Sequence, residues 1–399
     1  MIRMRARIYK IFLPLLALIF LFSLISCNNS EAQATIADLE QRLADCEEKE
    51  AKAEETTTKA TEKEITQEKT KTEETPIEEV KKEFSPVIVS NFFTQGYPRA
   101  TFIVDNYLYA AGQGISIIDI TDKSNPKLMG VTTNDWLGGI YVEGDYAFAI
   151  YSRWDNETGT SKGGLKVIDI SDKESPVEIG DFSMEGNIFD LAVSGNYAFI
   201  SYAIYGQQTS ESGVEILDIT DKTNPISIGN LSGGRSGGPF YVADDLGYYF
   251  PGGNLKIIDL KDINNVTEID NYFFSVYANQ LLADQEYLYF IVSNTLQIAN
   301  LSDTNLEIIG GIFSRGNIQR VAIESDYAYV TYLINDSSSD NWVIKESGLQ
   351  VIDLSNKIQP FIAARIDIPG EANGVSIQDN YAYVAAGPTG VHIVKLFDE

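Results

Sequence analysis

From Phe84 onward, short apolar segments with the two-residue alternation of β-strands recur every 40 to 54 residues. One recurring segment is a pair of alternating aromatic residues such as Tyr107-Leu-Tyr109, present six times with an altered seventh copy at Leu246-Gly-Tyr248. A second is a run such as GVEILDI, whose seven copies begin at residues 114, 164, 213, 254, 295, 348 and 390. With the segments that precede and follow them, each unit holds four strands. Four strands at this period are typical of a propeller blade.

The apolar positions also indicate how the units pack. In the run that begins at Gly213, the side chains of Val214, Ile216 and Leu217 point to both faces, as expected when neighbouring blades cover both. The seventh unit lacks its last strand, whereas Ser85 to Phe93 forms a spare one at the start. We therefore predict an all-β fold, a seven-bladed β-propeller closed by its N-terminal strand. A ring of six or eight blades, or an open solenoid with exposed edges, is the alternative.

The N-terminus predicts export. Four basic residues precede a 14-residue apolar run, Ile11 to Leu24, which is short for a bilayer span and typical of a signal peptide. Leu24-Ile-Ser-Cys27 resembles a bacterial lipobox, which implies cleavage before Cys27 and lipidation of its sulfur. The expected location is extracytoplasmic, lipid-anchored to the cell membrane or outer membrane. A transmembrane anchor with an incidental cysteine is the alternative.

Residues 28–83 predict an acidic tether rich in Lys, Glu and Thr. Its first part, Glu31 to Glu50, has apolar residues at heptad spacing over barely two heptads, which favours a short helix, with weak self-association as the alternative. The rest cannot bury enough apolar surface to fold. The predicted organisation is therefore a signal peptide over 1–27, this tether over 28–83 and a propeller over 84–399, most simply as a monomer.

The repeated units resemble a known family. YLYAAGQGISIIDITDKSNPKLMG, from Tyr107 to Gly130, and YAYVAAGPTGVHIVKL, from Tyr381 to Leu396, are similar to LVIVD repeats. The similarity extends over about Phe84 to Glu399. It implies a β-propeller of a surface or secreted protein, and it carries no settled activity and no catalytic residues to transfer.

Charge and residue types exclude several functions. The residues after Glu83 carry 40 acidic and 17 basic side chains, a surface that repels nucleic acid and anionic membrane. The single histidine, His392, falls in a strand position that other units fill with Ser, Lys, Glu or Gln, so we expect it to be solvent-exposed. No Ser-His-Asp set, no histidine or cysteine metal site and no cofactor motif can be assembled.

An aspartate recurs at the end of the third strand of five units, at Asp119, Asp169, Asp218, Asp259 and Asp353. Each precedes a turn such as TDKSNP, where short polar side chains bond backbone N–H groups. We therefore predict a structural role in turns for these carboxylates.

Three long insertions interrupt the repeats, at residues 150–163, 201–212 and 331–347. All join the second and third strands of a blade, so they open on the same face as the connections between blades, here called the top face. Tryptophan, tyrosine and arginine dominate binding hot spots. In this sequence they concentrate on the insertions and on the connections between blades, which together form the top face. The candidate ligand-binding residues are Arg99, Trp136, Arg153, Trp154, Tyr205, Arg235, Arg315, Arg320 and Trp342.

The function this predicts is a non-catalytic binding module that takes a protein, a glycan or an anionic small ligand on its top face. One alternative is a carboxylate-based hydrolase or lyase that uses Asp190, Glu185 or Asp135. Another is a structural protein of the cell envelope.

Overall fold

The computed structural model describes residues 83–94, 96–132, 135–156, 159–205, 210–234, 236–274, 276–301, 306–336 and 343–397. All of them belong to one compact unit, Lys81–Glu399. The predicted signal peptide, the predicted lipidation site Cys27 and the tether lie outside these residues. No helix in the described ranges is long and apolar enough to cross a membrane.

The described residues form seven four-stranded antiparallel sheets. After β1 (Val87–Phe92), the strands of the first three blades are β2 (Ala100–Val104), β3 (Tyr107–Gly112), β4 (Gly114–Asp119), β5 (Lys127–Val131), β6 (Leu137–Glu143), β7 (Tyr146–Asp155), β8 (Thr160–Asp169), β9 (Val177–Glu185), β10 (Asn187–Ser194), β11 (Tyr197–Tyr205), β12 (Ser210–Asp218) and β13 (Ile226–Gly234). Blades 4 and 5 contain β14 (Phe240–Ala243), β15 (Leu246–Tyr249), β16 (Asn254–Asp259), β17 (Thr267–Phe273), β18 (Gln280–Ala283), β19 (Tyr287–Val292), β20 (Thr295–Asn300) and β21 (Glu307–Phe313). Blades 6 and 7 contain β22 (Asn317–Glu324), β23 (Tyr327–Asp336), β24 (Val343–Asp353), β25 (Phe361–Asp367), β26 (Gly374–Gln378), β27 (Tyr381–Ala385) and β28 (Val391–Lys395). Short 3₁₀ turns lie at Ile263–Asn265 and Gly387–Thr389.

The N-terminal strand closes the ring. Six blades run in chain order from the inner to the outer strand, whereas the seventh sheet has the order β1-β28-β27-β26, with β1 as its outer strand. The inner strand of blade 1, β2, contacts both β6 and β26. The prediction of a seven-bladed β-propeller completed by Ser85 to Phe93 is therefore confirmed.

Seven buried apolar clusters, one at each blade interface, hold the ring together. Strand β4 shows how the alternation serves two interfaces. Its Ile117 packs in the cluster shared with blade 2, and the next residue, Ile118, packs in the cluster shared with blade 7. Because successive side chains of a strand point to opposite faces, a run that is apolar at both parities is what such a sheet requires.

The recurring aspartates shape the turn between the third and fourth strands. Asp119 accepts a hydrogen bond from the backbone N–H of Thr121 at 2.8 Å, and four equivalent carboxylates accept from the N–H two residues on. Hydrogen bonds from the hydroxyls of Thr121, Ser171 and Thr220, followed by these backbone N–H groups, hold the pKa of Asp119, Asp169 and Asp218 below the usual aspartate value. The predicted structural role is confirmed.

In blades 1, 2, 3 and 6 the same turn also fastens the blade to the one before it. The ammonium group of Lys222, in the turn of blade 3, lies 5.7 Å from the ring centre of Tyr146 in blade 2, and it donates to Ile219 O at 2.6 Å. Beneath this turn lies Gly180 of blade 2, where a Cβ would overlap the Lys222 carbonyl oxygen. Lys123, Lys173 and Lys357 make equivalent contacts with Tyr381, Tyr107 and Tyr287. We call this lysine, tyrosine and glycine arrangement the blade latch.

His392 differs from expectation. It is 2% exposed, its Nε2 lies 3.0 Å from Thr389 Oγ1, and its Nδ1 has no partner among the described residues. Burial lowers its pKa. The equivalent Ser116 and Gln350 are buried as well. The prediction of an exposed position was wrong because the third strand lies inside its sheet and neighbouring blades cover both faces.

Candidate functional site

The insertions of blades 2, 3 and 6 are regular extensions of the blades. They lengthen the hairpins β7–β8, β11–β12 and β23–β24 beyond the top edge of their sheets. In each of these blades the inner strand also carries a register shift, opposite Tyr151, Tyr202 and Tyr332. Such bulges bend a strand and redirect its side chains, and they are common beside functional sites.

A cavity lies on the top face between blades 1 and 2. Its volume is about 490 Å³, and the chain segments that enclose it come from three places: the connection into blade 1, the connection between blades 1 and 2, and strand β7. Its lining residues are Arg99, Asp135, Trp136, Tyr151, Ser152, Arg153 and Trp154. We call it the Trp136–Trp154 pocket. Four of the predicted ligand-binding residues therefore meet there.

The tight β3–β4 turn of blade 1 positions Arg99 and Trp136. Gln113 bridges to Trp136, and the N–H of Gly114 donates to Asp135 O at 2.8 Å. The backbone of Arg99 is fixed by a hydrogen bond from its N–H to Ala111 O at 2.7 Å. This turn is short and rich in glycine, which leaves room for the connection into blade 1 and the connection between blades 1 and 2 to lie across it. A Cβ at Gly112 would overlap the backbone of Tyr97.

Aromatic rings hold the Arg99 guanidinium in place. Its central carbon lies 5.8 Å from the ring centres of both Tyr97 and Trp136, and the two rings meet edge to face at 6.4 Å. Tyr97 has a left-handed backbone, with φ of 55°, and its hydroxyl interacts electrostatically with Glu371. Burial, followed by Glu371, raises the pKa of Tyr97 to about 12. Tyr97 is therefore a neutral support for Arg99.

Arg153 and Trp154 stand on a hairpin that is anchored to the next blade. The side chain of Ser152 accepts the N–H of Ile188 in blade 3 at 2.8 Å, and Gly186 N–H donates to Ser161 O at 2.7 Å. Two opposite charges, Lys162 and Asp155, pair across the hairpin at 3.1 Å. Trp154 is 63% exposed, and these contacts hold the strand that carries it in place.

The charges of the pocket fall into two groups. Lys166 is engaged by three carboxylates, with its Nζ 2.9 Å from Asp135, 2.7 Å from Glu178 and 3.9 Å from Asp181. Burial raises the pKa of Asp181, and the charge of Lys166 opposes that rise. In contrast, Arg99 and Arg153 have no ion-pair partner among the described residues, so two guanidinium groups remain available to an anion.

The remaining predicted residues lie elsewhere. Tyr205 is 60% exposed and faces Trp154 across a smaller cavity of about 90 Å³. Arg315 is paired with Glu346, which also accepts the hydroxyl of Tyr332 at 2.9 Å. Arg320 lines the central channel. Arg235 and Trp342 lie outside the described residues. The described arginines of the prediction therefore occupy three separate places on the protein.

The carboxylates considered for catalysis also separate. Asp135 lines the Trp136–Trp154 pocket, Glu185 lines the cavity beside Tyr205, and Asp190 lines the central channel. No two of these three share a cavity. Among the described residues, no group of three or more His, Cys, Asp or Glu side chains could hold a metal ion.

Sequence reasoning did not identify Lys166 as part of the site. It occupies the same strand position as His392, which was interpreted as solvated in every blade. The available signal was the set of acidic residues in the neighbouring strand and connection, Asp135, Glu178 and Asp181, which supply the counter-charges that a partly buried lysine needs.

Comparisons with known proteins agree with the fold. The family model of the LVIVD repeat matches residues 95–133, 158–183, 185–232 and 369–394. No curated protein matches the chain. Among solved structures, the computationally designed Ika8 protein is similar with a TM-score of 0.52 and 12% identity over 77% of this chain and 98% of its own. A functionally unknown protein from Desulfotomaculum acetoxidans DSM 771 is similar with a TM-score of 0.55 and 12% identity, over 76% and 91%.

At this level of identity the similarity to solved structures concerns the fold alone. The repeat match lies on blades 1, 2, 3 and 7. The chain is a seven-bladed β-propeller that carries LVIVD repeats.

Proposed function

We propose that this protein is a non-catalytic binding module whose Trp136–Trp154 pocket recognises a segment of an acidic glycan. The observation that carries the proposal is the exposure of two tryptophans, 51% for Trp136 and 63% for Trp154, beside two arginines without ion-pair partners. Large aromatic side chains and arginine are the residue types that contribute most to binding energy.

The composition of the pocket matches such a ligand. Flat indole faces suit the apolar C–H faces of a sugar ring, and guanidinium groups bind carboxylates through paired, charge-assisted hydrogen bonds. Ser152 and the outer edge of Asp135 supply polar atoms for hydroxyl groups. A concave pocket of about 490 Å³ fits a short segment, whereas a protein partner of standard size needs a surface of about 800 Å².

The alternatives have less support. A carboxylate-based hydrolase or lyase needs two carboxylates at one site, and Asp135, Glu185 and Asp190 line three different cavities. A purely structural role in the envelope does not account for the exposed tryptophans at a supported pocket.

The lipid anchor and the extracytoplasmic location are part of the proposal and rest on the sequence Leu24-Ile-Ser-Cys27. The expected arrangement is a propeller held outside the cytoplasm by lipidated Cys27 and displaced from the membrane by the tether. A Cys27→Ser chain that stays in the membrane fraction as an integral protein would favour the transmembrane alternative.

The experiment is a calorimetric titration of the full-length chain, in mild detergent, with oligosaccharides that carry uronic acids and with their neutral counterparts. We expect acidic oligosaccharides to bind, and Arg153→Gln or Trp154→Ala to weaken binding by about tenfold or more, which is 1.4 kcal/mol. The matched control is Arg365→Gln, an exposed arginine on the outer strand of blade 6. Equal affinity of all three variants, or binding of envelope proteins in place of glycans, would overturn the proposal.

A further inference from the structure

The central channel contains one layer of residues in which a single side chain is acidic and a single side chain is basic. In six blades, an inner-strand residue pairs with the residue two positions after the second aromatic of the blade, so these inner-strand residues lie at an equivalent level of the ring. In six blades this layer consists of Ala100, Gly139, Asp190, Gln280, Arg320 and Gly374, and all six line one cavity of about 250 Å³.

The two charges stand on opposite sides of the channel. Asp190 belongs to blade 3 and Arg320 to blade 6, so two blades separate them on one side and three on the other. No salt bridge joins them. They nevertheless interact, because burial raises the pKa of Asp190 while the charge of Arg320 opposes that rise.

Neither charge is fully satisfied by the protein. The Asp190 carboxylate accepts the N–H of Leu191 at 3.1 Å, which leaves acceptor capacity toward the channel. The side chain of Arg320 has no hydrogen-bond or ion-pair partner among the described residues. Both residues directly follow the bulge of their inner strand, between Ile188 and Asp190 and between Ile318 and Arg320.

The rest of the cavity is neutral. The side chain of Gln280 is occupied by the backbone of Val321, to which it donates at 2.9 Å and from which it accepts at 2.8 Å. Burial raises the pKa of Tyr141 and Tyr241, so both phenols stay protonated. Asp190 and Arg320 are therefore the only charged side chains that line this cavity.

We propose that the channel binds a small zwitterion of the α-amino-acid type, with its carboxylate on Arg320 and its ammonium group on Asp190. Half-buried charges without an ion-pair partner are costly, and one ligand with both charges compensates both sites at once. A simple anion or cation would compensate only one of them. The cavity volume suits a molecule of this size and excludes a folded polymer. This site is separate from the Trp136–Trp154 pocket.

The test measures the affinity of the full-length chain, in mild detergent, for glycine, L-alanine and L-serine by calorimetry and thermal shift. N-acetylglycine and glycine methyl ester serve as ligands that lack one of the two charges. We expect at least one amino acid to bind. The blocked compounds should bind at least about tenfold more weakly, because each of them loses one charge-assisted contact.

Variants provide the second arm. Asp190→Asn keeps the acceptor oxygen for the backbone while removing the charge, and Arg320→Gln removes the guanidinium. We expect each to weaken amino-acid binding by about tenfold or more, with Arg365→Gln unchanged. Absence of binding by all three amino acids, or equal affinity of the blocked compounds, would overturn the proposal. The blocked compounds decide the matter on the unmodified protein if a variant does not fold.

Discussion

At the scale of single residues, Lys166 separates the structural charges of the pocket from those available for recognition. Its side chain is only 11% exposed and contacts three carboxylates. Those acids are engaged by Lys166, and none of them forms an ion pair with Arg99 or Arg153 among the described residues. The anion preference that we propose for the pocket consequently depends on a buried cation that contributes no binding atom of its own.

Replacing this cation should destabilise the protein in a pH-dependent way. We expect Lys166→Met to lower the free energy of unfolding by about 1–3 kcal/mol near neutral pH, because three carboxylates lose their counter-charge. The charge of Lys166 lowers the pKa of Asp181, so without Lys166 this pKa rises further and the native variant binds more protons. The deficit should therefore grow with rising pH and shrink as the pH falls toward 3.8, the ordinary aspartate value.

Urea denaturation near neutral pH and near pH 3.8 measures how the loss of unfolding free energy changes with pH. The matched control is Lys256→Met, at the equivalent position in blade 4, where the lysine pairs with the single carboxylate of Glu268 at 3.0 Å. A smaller loss is expected there. A loss for Lys166→Met that is independent of pH would contradict the assignment of its role to charge.

At the scale of strands and turns, the blade latch explains why the fourth strand of several units begins just after a proline and has a glycine four residues beyond that proline. At Gly130, Gly180 and Gly310, a Cβ would overlap the lysine turn of the next blade. Gly180 lies beneath the turn of Lys222, whereas Gly229 lies beside blade 4, whose turn lacks this lysine, and a Cβ there would meet nothing within 4 Å. Ser90 takes the same position in β1, and its hydroxyl donates to Lys123 O at 2.6 Å.

This contrast predicts different effects for the same substitution. We expect Gly180→Ala to lower the free energy of unfolding by about 1–3 kcal/mol, because the methyl group forces the two blades apart. Gly229→Ala should be neutral, or stabilising by about 0.4–1 kcal/mol through the unfolded chain. Thermal and chemical denaturation of both variants gives the comparison. Equal destabilisation would show that glycine serves the strand itself and not the latch.

At the scale of the whole molecule, the ring and its closure could be predicted because they depend on local alternation and on the number of repeats. The incomplete unit ending in Leu396 and the spare strand at Ser85 to Phe93 required each other. The burial of His392 could not be predicted this way, since it depends on how two neighbouring blades cover the third strand. A strand position shared by Ser, Lys, Glu and Gln therefore looked solvated although the fold encloses it.

The candidate site was predictable in part. The sequence placed Arg99, Trp136, Arg153 and Trp154 on one face, but it did not show that these four meet beside blades 1 and 2. Nor did it separate Arg315, which Glu346 neutralises, from Arg320, which faces the channel. These outcomes depend on where each blade lies around the ring axis and on which side chains form ion pairs. Repeat spacing specifies neither.

The most direct test of the proposed function uses the natural tryptophans, since the chain has only three: Trp136, Trp154 and Trp342. In a Trp342→Phe chain, all tryptophan emission comes from the Trp136–Trp154 pocket. We predict a saturable change in that emission when acidic oligosaccharide is added, and we predict that Arg153→Gln in the same background removes it. Emission that stays constant while calorimetry records binding of the oligosaccharide would contradict the placement of the ligand in this pocket.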